Sequence, residues 1–442
     1  MKKILVLGAG LSSAYLIKYL LQHASKEKWE VIVGDAKLAL AKDKVGKSKF
    51  GSAISIDITQ EKERRNWISK ADIVVSLLPP SLHVLAAKDC LHFKKNLVTA
   101  SYLSEEMKGM HEAAIEANIL FLNEIGLDPG IDHLSAMKLI HEIQDAGGVI
   151  KSFESYCGGL VAPAFDDNPW QYKFTWNPRN VVLAGQATAC YKQDGLLKFI
   201  PPNRIFKQVK NVKISSKEKF ESYANRDSLS YIEPYGIGSA QTVLRGTLRR
   251  KGFCEAWNYL VKLGLTDDSF ILPNSENLSY RDLITAFLDQ NDSDTETALS
   301  NFLGIKKSSS VFKKLIWLGI LETKKIGISQ ASPAQALQKL LQEKWKLQSN
   351  ELDQIVMVHK ISYTQHKNTF QLQSNLVVTG ENQKYTAMAK TVGLPMAIAC
   401  KLILKNEIQA KGVQIPITKE FYEPILKELK NYSIDFKEKL SK

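Results

Sequence analysis

Between Asn123 and His133 the chain reads Asn-Glu-Ile-Gly-Leu-Asp-Pro-Gly-Ile-Asp-His, directly after an apolar run from Ile119 to Leu122 that reads as a buried strand. Three carboxylates (Glu124, Asp128 and Asp132) and an imidazole thus collect where a strand should release its chain. The carboxyl edge of a sheet is where α/β folds place ligands, and such side chains can hold a cation or move a proton there. The same residues also compose an acidic turn, since Gly and Pro punctuate loops and Asp132 could simply cap a following helix.

A second chemical signal is Gly8-Ala9-Gly10-Leu11-Ser12-Ser13, which follows the first apolar strand and opens the first helix, the context a dinucleotide fingerprint requires. Gly8 permits the tight turn and Gly10 lets the backbone approach a pyrophosphate, while N–H groups from Leu11 and Ser12 onward face the anion. Ser13 replaces the third glycine of the pattern and is still small enough for helix–strand packing. Asp35 closes the second strand, where a carboxylate accepts hydrogen bonds from an adenosine ribose and repels a 2′-phosphate. NAD(H) is therefore favoured, with NADP(H) left open by the neighbouring Lys37. Asp57, after Ile54 and Ile56, either borders the adenine pocket or belongs to a loop. The His, Cys, Asp and Glu residues show no zinc spacing, and no metal is expected.

The elements that must position these groups alternate over the first 125 residues or so. Lys2–Leu7, Glu30–Gly34, Ala71–Leu78, Leu97–Ser101 and Ile119–Leu122 read as strands; Leu11–Leu21, Leu82–Leu91 and Ser104–Ala117 read as helices between them. Buried apolar runs separated by helices predict a doubly wound parallel sheet covered on both faces. From about Val149 the pattern becomes mixed: strands are expected at Lys151–Cys157, Val209–Ile214, and in a hairpin of Ile355–Tyr363 and Thr369–Val378 about Gln365-His366-Lys367-Asn368. Cys254–Leu263, Tyr280–Leu288, Thr295–Leu303, Ser310–Leu318 and Pro333–Trp345 are helix-period segments, the last opened by Ser332 as N-cap. The tail from Thr386 to Leu404 reads as an Ala-rich helix interrupted at Gly393-Leu394-Pro395, able to return to the first domain. The fold class is α/β: an N-terminal Rossmann doubly wound sheet over 1–126, completed by 390–442; a mixed α+β substrate domain over 127–254 and 346–389; and a small inserted helical subdomain over 255–345.

With 442 residues, 44% hydrophobic and 24% charged, the chain can bury two or three cores, which excludes disordered and collagen-like classes. Its apolar runs look too short to cross a bilayer, and no membrane partner is expected; a cytoplasmic protein is. The five cysteines are scattered and odd in number, which fits thiols better than a disulfide framework. A net charge of +13 would suit nucleic acid, yet the lysines spread over predicted helix surfaces without RNP-like or zinc-finger patterns. The excess charge fits a solvated surface and multiply anionic small ligands instead.

Further segments share the unusual chemistry: Ser76-Leu77-Leu78-Pro79, Ser101-Tyr102, Ser155-Tyr156-Cys157-Gly158-Gly159, Lys173-Phe174-Thr175-Trp176-Asn177-Pro178-Arg179, Asn225-Arg226-Asp227-Ser228, Arg245-Gly246-Thr247-Leu248-Arg249 and Thr386-Ala387-Met388-Ala389-Lys390. In order and interval they resemble the saccharopine dehydrogenase family, on its glutamate-forming (saccharopine reductase) branch. The resemblance implies a homodimer, formed through the mixed-sheet domain, and a reaction in lysine metabolism. Saccharopine and a nicotinamide cofactor would interconvert with 2-aminoadipate 6-semialdehyde and glutamate. The strand-four segment would bring Ser76 and Leu77 to the cofactor. Family residues lining the site fall on Tyr102, Asp128 and Cys157, with Asp128 the group that holds or deprotonates the substrate amine and the other two orienting the reacting centre. A substrate with three carboxylates needs fixed cations, for which Arg226 is the best candidate, helped by hydroxyls of Thr247 and Ser101. Arg226 beside Asp227 also reads as a structural ion pair, Arg245 and Arg249 are ambiguous, Glu124 would neighbour nicotinamide or substrate, and His133 is taken as structural.

One departure bears on the cofactor: fungal members have Cys-Arg after the second strand and use NADP(H), whereas this chain has Gly34-Asp35-Ala36. Two alternatives use the same cofactor machinery: a carboxynorspermidine-type reductive-condensation dehydrogenase, and a non-catalytic NAD-binding regulatory or interaction protein. A diamine substrate would need fewer cations and more carboxylates than these segments supply.

Overall fold

A computed structural model of the chain describes residues 1–215, 218–288 and 294–442. In chain order the elements are β1 (Lys2–Leu7), α1 (Ala14–Glu27), β2 (Trp29–Asp35), α2 (Leu38–Val45), β3 (Gly51–Ser55), α3 (Glu61–Lys70), β4 (Ile73–Ser76), α4 (Pro80–His92), β5 (Asn96–Thr99), α5 (Glu105–Lys108), α6 (His111–Glu116), β6 (Leu120–Leu122) and α7 (Ile131–Asp145). There follow β7 (Val149–Val161), α8 (Pro178–Val182), β8 (Ala189–Gln193), β9 (Leu196–Ile200), β10 (Lys210–Lys213), β11 (Lys219–Ala224), β12 (Thr242–Arg249), α9 (Phe253–Lys262), α10 (Tyr280–Ala286), α11 (Thr295–Leu303), α12 (Ser310–Leu318) and α13 (Pro333–Lys344). The chain ends with β13 (Asp353–Gln365), β14 (Asn368–Thr379), α14 (Ala387–Leu404), β15 (Gly412–Gln414), α15 (Lys419–Leu429) and β16 (Lys437–Ser441).

Two compact units result: Met1–Gly148 with Leu376–Lys437, and Val149–Asn375 with Glu438–Lys442. The first unit thus runs past the expected boundary at 126, because α7 packs against α15 of the tail. Its sheet has the order β15-β6-β5-β4-β1-β2-β3 with parallel pairing throughout. β1 and β4 are neighbours although β2 and β3 intervene in sequence, so the strand order reverses there, and the crevice beyond their carboxyl ends is a topological switch point. β1, β4 and β6 are buried on both faces, as strands covered by helices on each side must be.

The structure corrects several expectations in this unit. β3 and β15 are strands that periodicity did not reveal, being short and one of them only partly buried. The expected helix Ser104–Ala117 is two short ones, α5 and α6, with Gly109 between them. The expected break at Gly393-Leu394-Pro395 does not occur, and α14 is continuous with Pro395 inside it. Gly393 instead permits close helix packing: a Cβ there would lie 2.8 Å from the Leu16 backbone nitrogen of α1. At 18 residues α14 is, by length and composition, apolar enough to span a membrane, contrary to the expectation drawn from the apolar runs; most of it is buried against α1, α15 and the sheet.

In the second unit β10-β11-β12-β7-β13-β14-β16 form a mixed sheet, with β8 and β9 branching from β12. The β13–β14 turn takes positive φ at His366 (47°) and Lys367 (66°), the twist that suits a two-residue hairpin. α9 to α13 share one core with this sheet, centred on Trp170, Tyr172, Phe253, Trp257 and Trp345, whose rings meet mostly edge to face. The helices 255–345 therefore pack as part of the second unit, and the Ser332 capping box with Gln335 opens α13 as its sequence implied.

Candidate functional site

In the first unit the candidate cofactor residues meet at the carboxyl edge of β1, β2 and β4. Gly8 has φ +101°, and a Cβ there would lie 2.9 Å from the Leu77 carbonyl oxygen, so the turn after β1 runs tightly beside the turn after β4. A Cβ on Gly10, by contrast, would meet nothing within 4 Å, leaving open space over the backbone at that point. Leu11 to Ser13 form one 3₁₀ turn leading into α1, and the Ser13 hydroxyl donates to the Gly10 carbonyl at 2.8 Å, so serine braces the turn where the pattern has glycine. Asp35 accepts from the Ala9 N–H and the Lys37 N–H, both at 2.8 Å, which ties the tip of β2 to the glycine turn. This open, N–H-lined cradle with a carboxylate beside it fits the pyrophosphate and ribose of a nicotinamide dinucleotide. Asp57 is exposed and closes its own turn, accepting from the Thr59 N–H (2.9 Å) and hydroxyl (2.7 Å); these bonds hold its carboxyl below the ordinary range.

Further along the same edge stand Ser76, Ser101, Tyr102 and Asp128. The ring of His83, on α4, lies between the first two: Nδ1 is 2.7 Å from Ser76 Oγ and Nε2 is 2.7 Å from Ser101 Oγ. Burial holds this imidazole down at about 4, hence neutral. Sequence reading passed over His83 because a single histidine among apolar helix residues carries no motif. Glu124, with φ +55°, donates its N–H to the Ser101 carbonyl, and its carboxylate accepts from the Leu103 N–H (2.9 Å) and pairs with the fully buried His133 (2.8 Å). Glu124 and His133 thereby brace the loop that carries Ser101 and Tyr102. Asp132 is not the N-cap; Gly130 is, and Asp132, inside the first turn of α7, accepts from the N–H groups of Gly130 (2.6 Å) and His133 (2.9 Å). Asp128 and Tyr102 are half-buried on this edge.

In the second unit the strand register aligns Tyr223 of β11, Thr247 of β12, Cys157 of β7 and Met357 of β13 in one row across the sheet. Residues in register share a face, so the thiol and hydroxyls project together. Burial raises the Tyr223 phenol, an effect opposed by the neighbouring Arg249 guanidinium, Thr247 and Arg226. Arg226 itself is exposed at φ +50°. Its neighbour Asp227 spends one carboxylate oxygen on the Cys190 thiol (3.0 Å) and the Leu229 N–H (2.7 Å); burial pushes that carboxyl up, but these bonds prevail and hold it low.

Arg249 is the unexpected member of this group. It is 3% exposed, donates to the Leu248 carbonyl (3.0 Å) and the Tyr223 hydroxyl (3.3 Å), and leaves Nε without an acceptor. The rings of Tyr172, Phe253 and Tyr223 surround its guanidinium at 4.9, 5.2 and 5.7 Å, and it pairs with no carboxylate among the described residues. A buried, uncompensated cation is costly, and a ligand carboxylate would balance it. Arg245 instead packs over Tyr231 at 4.3 Å. The Lys173–Arg179 segment is bracing: Lys173 pairs with Glu351 and Asp167, Arg179 with Asp268, and Asn177 caps α8.

Comparison with known proteins agrees with this division. Residues 4–122 match the family model of the saccharopine dehydrogenase NADP binding domain, and residues 126–434 that of the saccharopine dehydrogenase C-terminal domain. The chain is 34% identical over 446 residues to the saccharopine dehydrogenase (NADP(+), L-glutamate-forming) of Saccharomyces cerevisiae, covering 99% of each. It is 36% identical to the mitochondrial alpha-aminoadipic semialdehyde synthase of Bos taurus over 97% of this chain and 47% of that protein, so it spans about half the length of that relative. The structure of apo saccharopine dehydrogenase (L-Glu forming) from Saccharomyces cerevisiae superposes with a TM-score of 0.89 at 33% identity, covering 100% of both chains. With a dinucleotide cradle in one unit, a buried guanidinium two residues along β12 from a polar strand row in the other, and both matched in order along one chain, this protein belongs to the saccharopine dehydrogenase family.

Proposed function

We propose that this protein is an NAD(P)-dependent oxidoreductase that interconverts saccharopine, water and NAD(P)+ with 2-aminoadipate 6-semialdehyde, glutamate and NAD(P)H. The observation that carries the reading is the buried Arg249, whose unbalanced charge calls for an anionic ligand beside Thr247 and Cys157. A bound nicotinamide would supply hydride exchange with the terminal CH2 on the aminoadipate side of the substrate's secondary amine. Asp128 holds the ammonium and takes its proton, since a half-buried carboxylate attracts that cation and can accept a proton from it. Tyr102 and Cys157 orient the reacting centre. Arg226, Arg249, Thr247 and Ser101 take the three carboxylates by charge-assisted hydrogen bonds. In the oxidative direction water adds to the imine carbon, and the carbinolamine expels glutamate to leave the aldehyde.

Within the same reading NADH is the preferred reductant. The Asp35 carboxylate at the tip of β2 supports this, although the fungal relatives are named for NADP(+). The protein would also act as a homodimer, which sedimentation checks. The decisive experiment follows absorbance at the nicotinamide band with semialdehyde plus glutamate and either reduced cofactor, then with saccharopine and either oxidised cofactor. Turnover in both directions, with NADH the more efficient, is the expected result. Cofactor binding without turnover would leave a non-catalytic protein, and equal or better efficiency with NADPH would remove the role given to Asp35.

A further inference from the structure

The Ser76–His83–Ser101 chain has a direction, and that direction follows from burial. Ser76 is fully buried, and among the described residues its hydroxyl bonds only to Nδ1 of His83, at 2.7 Å. A buried hydroxyl that keeps its hydrogen unshared loses a hydrogen bond it had in water, so Ser76 donates and Nδ1 accepts. A neutral imidazole carries one N–H, which must then sit on Nε2. Nε2 faces Ser101 Oγ at 2.7 Å, and that hydroxyl accepts. Thr99 Oγ1 lies 3.5 Å from both ring nitrogens, at the margin of bonding, and receives the Ser101 N–H at 3.3 Å. The Ser101 backbone carbonyl is taken by the Glu124 N–H. With its lone pair engaged, the half-buried Ser101 has its own hydroxyl hydrogen left to give, and none of the described residues is bonded to take it.

We propose that His83 is a positioning residue: it orients the Ser101 hydroxyl as a donor to a carboxylate oxygen of the substrate, transmitting the fully enclosed Ser76 to the substrate-binding edge of β5. The proposal rests on the reaction given above and adds a group that touches neither substrate nor cofactor. It also gives α4 a role beyond covering the sheet, because the helix supplies the ring that joins the tips of β4 and β5.

The test is a double-mutant comparison with saccharopine as the varied substrate. His83→Asn keeps an amide near Ser76 but is too short to reach Ser101, whereas His83→Gln can extend an N–H toward it. His83→Asn should raise the KM for saccharopine about tenfold, the equivalent of one hydrogen bond to a charged group, with kcat and the KM for cofactor changed little. Ser101→Ala should do the same, and the double variant should be no worse than Ser101→Ala alone, since the ring acts through that hydroxyl. His83→Gln should recover most of the loss. Multiplying effects of His83→Asn and Ser101→Ala would overturn the proposal, as would an unchanged saccharopine KM in His83→Asn that is folded by its thermal transition. If His83→Asn does not fold, Gln performing no better than Ser101→Ala overturns it equally. Absence of saccharopine turnover by the unaltered protein would overturn the reaction as well, which separates the two failures.

Discussion

The carboxyl edge of the first unit and the strand row of the second solve opposite problems. Along the first edge nearly every polar group described is already matched from within: Asp35 by two backbone N–H groups, Ser76 by His83, Glu124 by Leu103 and His133. The second unit instead holds a buried guanidinium among aromatic rings with one nitrogen unmatched. The first is prearranged by its own backbone and side chains, while the second holds a charge that no carboxylate among the described residues pairs with. Such a division suits the reaction proposed above, in which one partner is a dinucleotide and the other a polycarboxylate.

Four measurements can break or sharpen that contrast. Asp128→Ala should lower kcat about a hundredfold or more while the cofactor Kd stays within about twofold, because general acid–base groups contribute at least that much. An unchanged kcat in folded protein would take Asp128 out of the mechanism and leave the first edge a cofactor cradle alone. Arg249→Met should raise the saccharopine KM about 10- to 100-fold, yet leave the thermal midpoint equal or higher, since replacing an unpaired buried charge by an apolar chain removes a desolvation cost. A large fall in midpoint would show that Arg249 supports the fold, and the contrast would dissolve.

A smaller effect is expected at the β2 tip. Asp35→Ala should improve the NADPH-to-NADH efficiency ratio about tenfold, the loss of one like-charge repulsion, measured by initial rates with each cofactor. The smallest concerns pH. His83 is neutral in the fold, with its pKa held down at about 4, whereas in the unfolded chain it takes a proton near 6.5. The unfolded state therefore binds more protons between those values, so this contribution is complete above about pH 6.5 and is lost as pH falls toward 4. From pH 7 to 5.5 the loss attributable to this ring is about 1 kcal/mol, and His83→Gln should flatten the chemical-denaturation profile by that amount.

How much of this was legible before the fold can be seen residue by residue. β1 and helices α11 and α12 begin and end where their apolar period and caps place them. The glycine turn was readable because its demands are local: a tight bend, an open backbone, a helix start. α14 was misread at Gly393 and Pro395, since a local breaker signal cannot reveal that α1 lies close enough to require a missing side chain. β15 was invisible because three residues gain strand character only by pairing with β6.

For the site, Asp128, Ser101 and Tyr102 could be nominated from their place after predicted strands. Arg226, Cys157 and Thr247 came from family resemblance, and Arg249 stayed ambiguous, for a single reason: whether a charge is paired depends on what surrounds it. No spacing within β12 announces that Tyr172, Tyr223 and Phe253, drawn from three separate segments, will enclose Arg249 and leave Nε unmet. Nor does a lone His83 announce two serines from the ends of different strands. The amino-acid order by itself determined the alternating architecture, the cofactor turn and the carboxylate-rich edge, because periodicity, backbone freedom and strand-end position are properties of neighbours in sequence. Tertiary structure alone decided which charges are matched and which hydroxyl faces outward, because burial and hydrogen-bond direction are properties of neighbours in space.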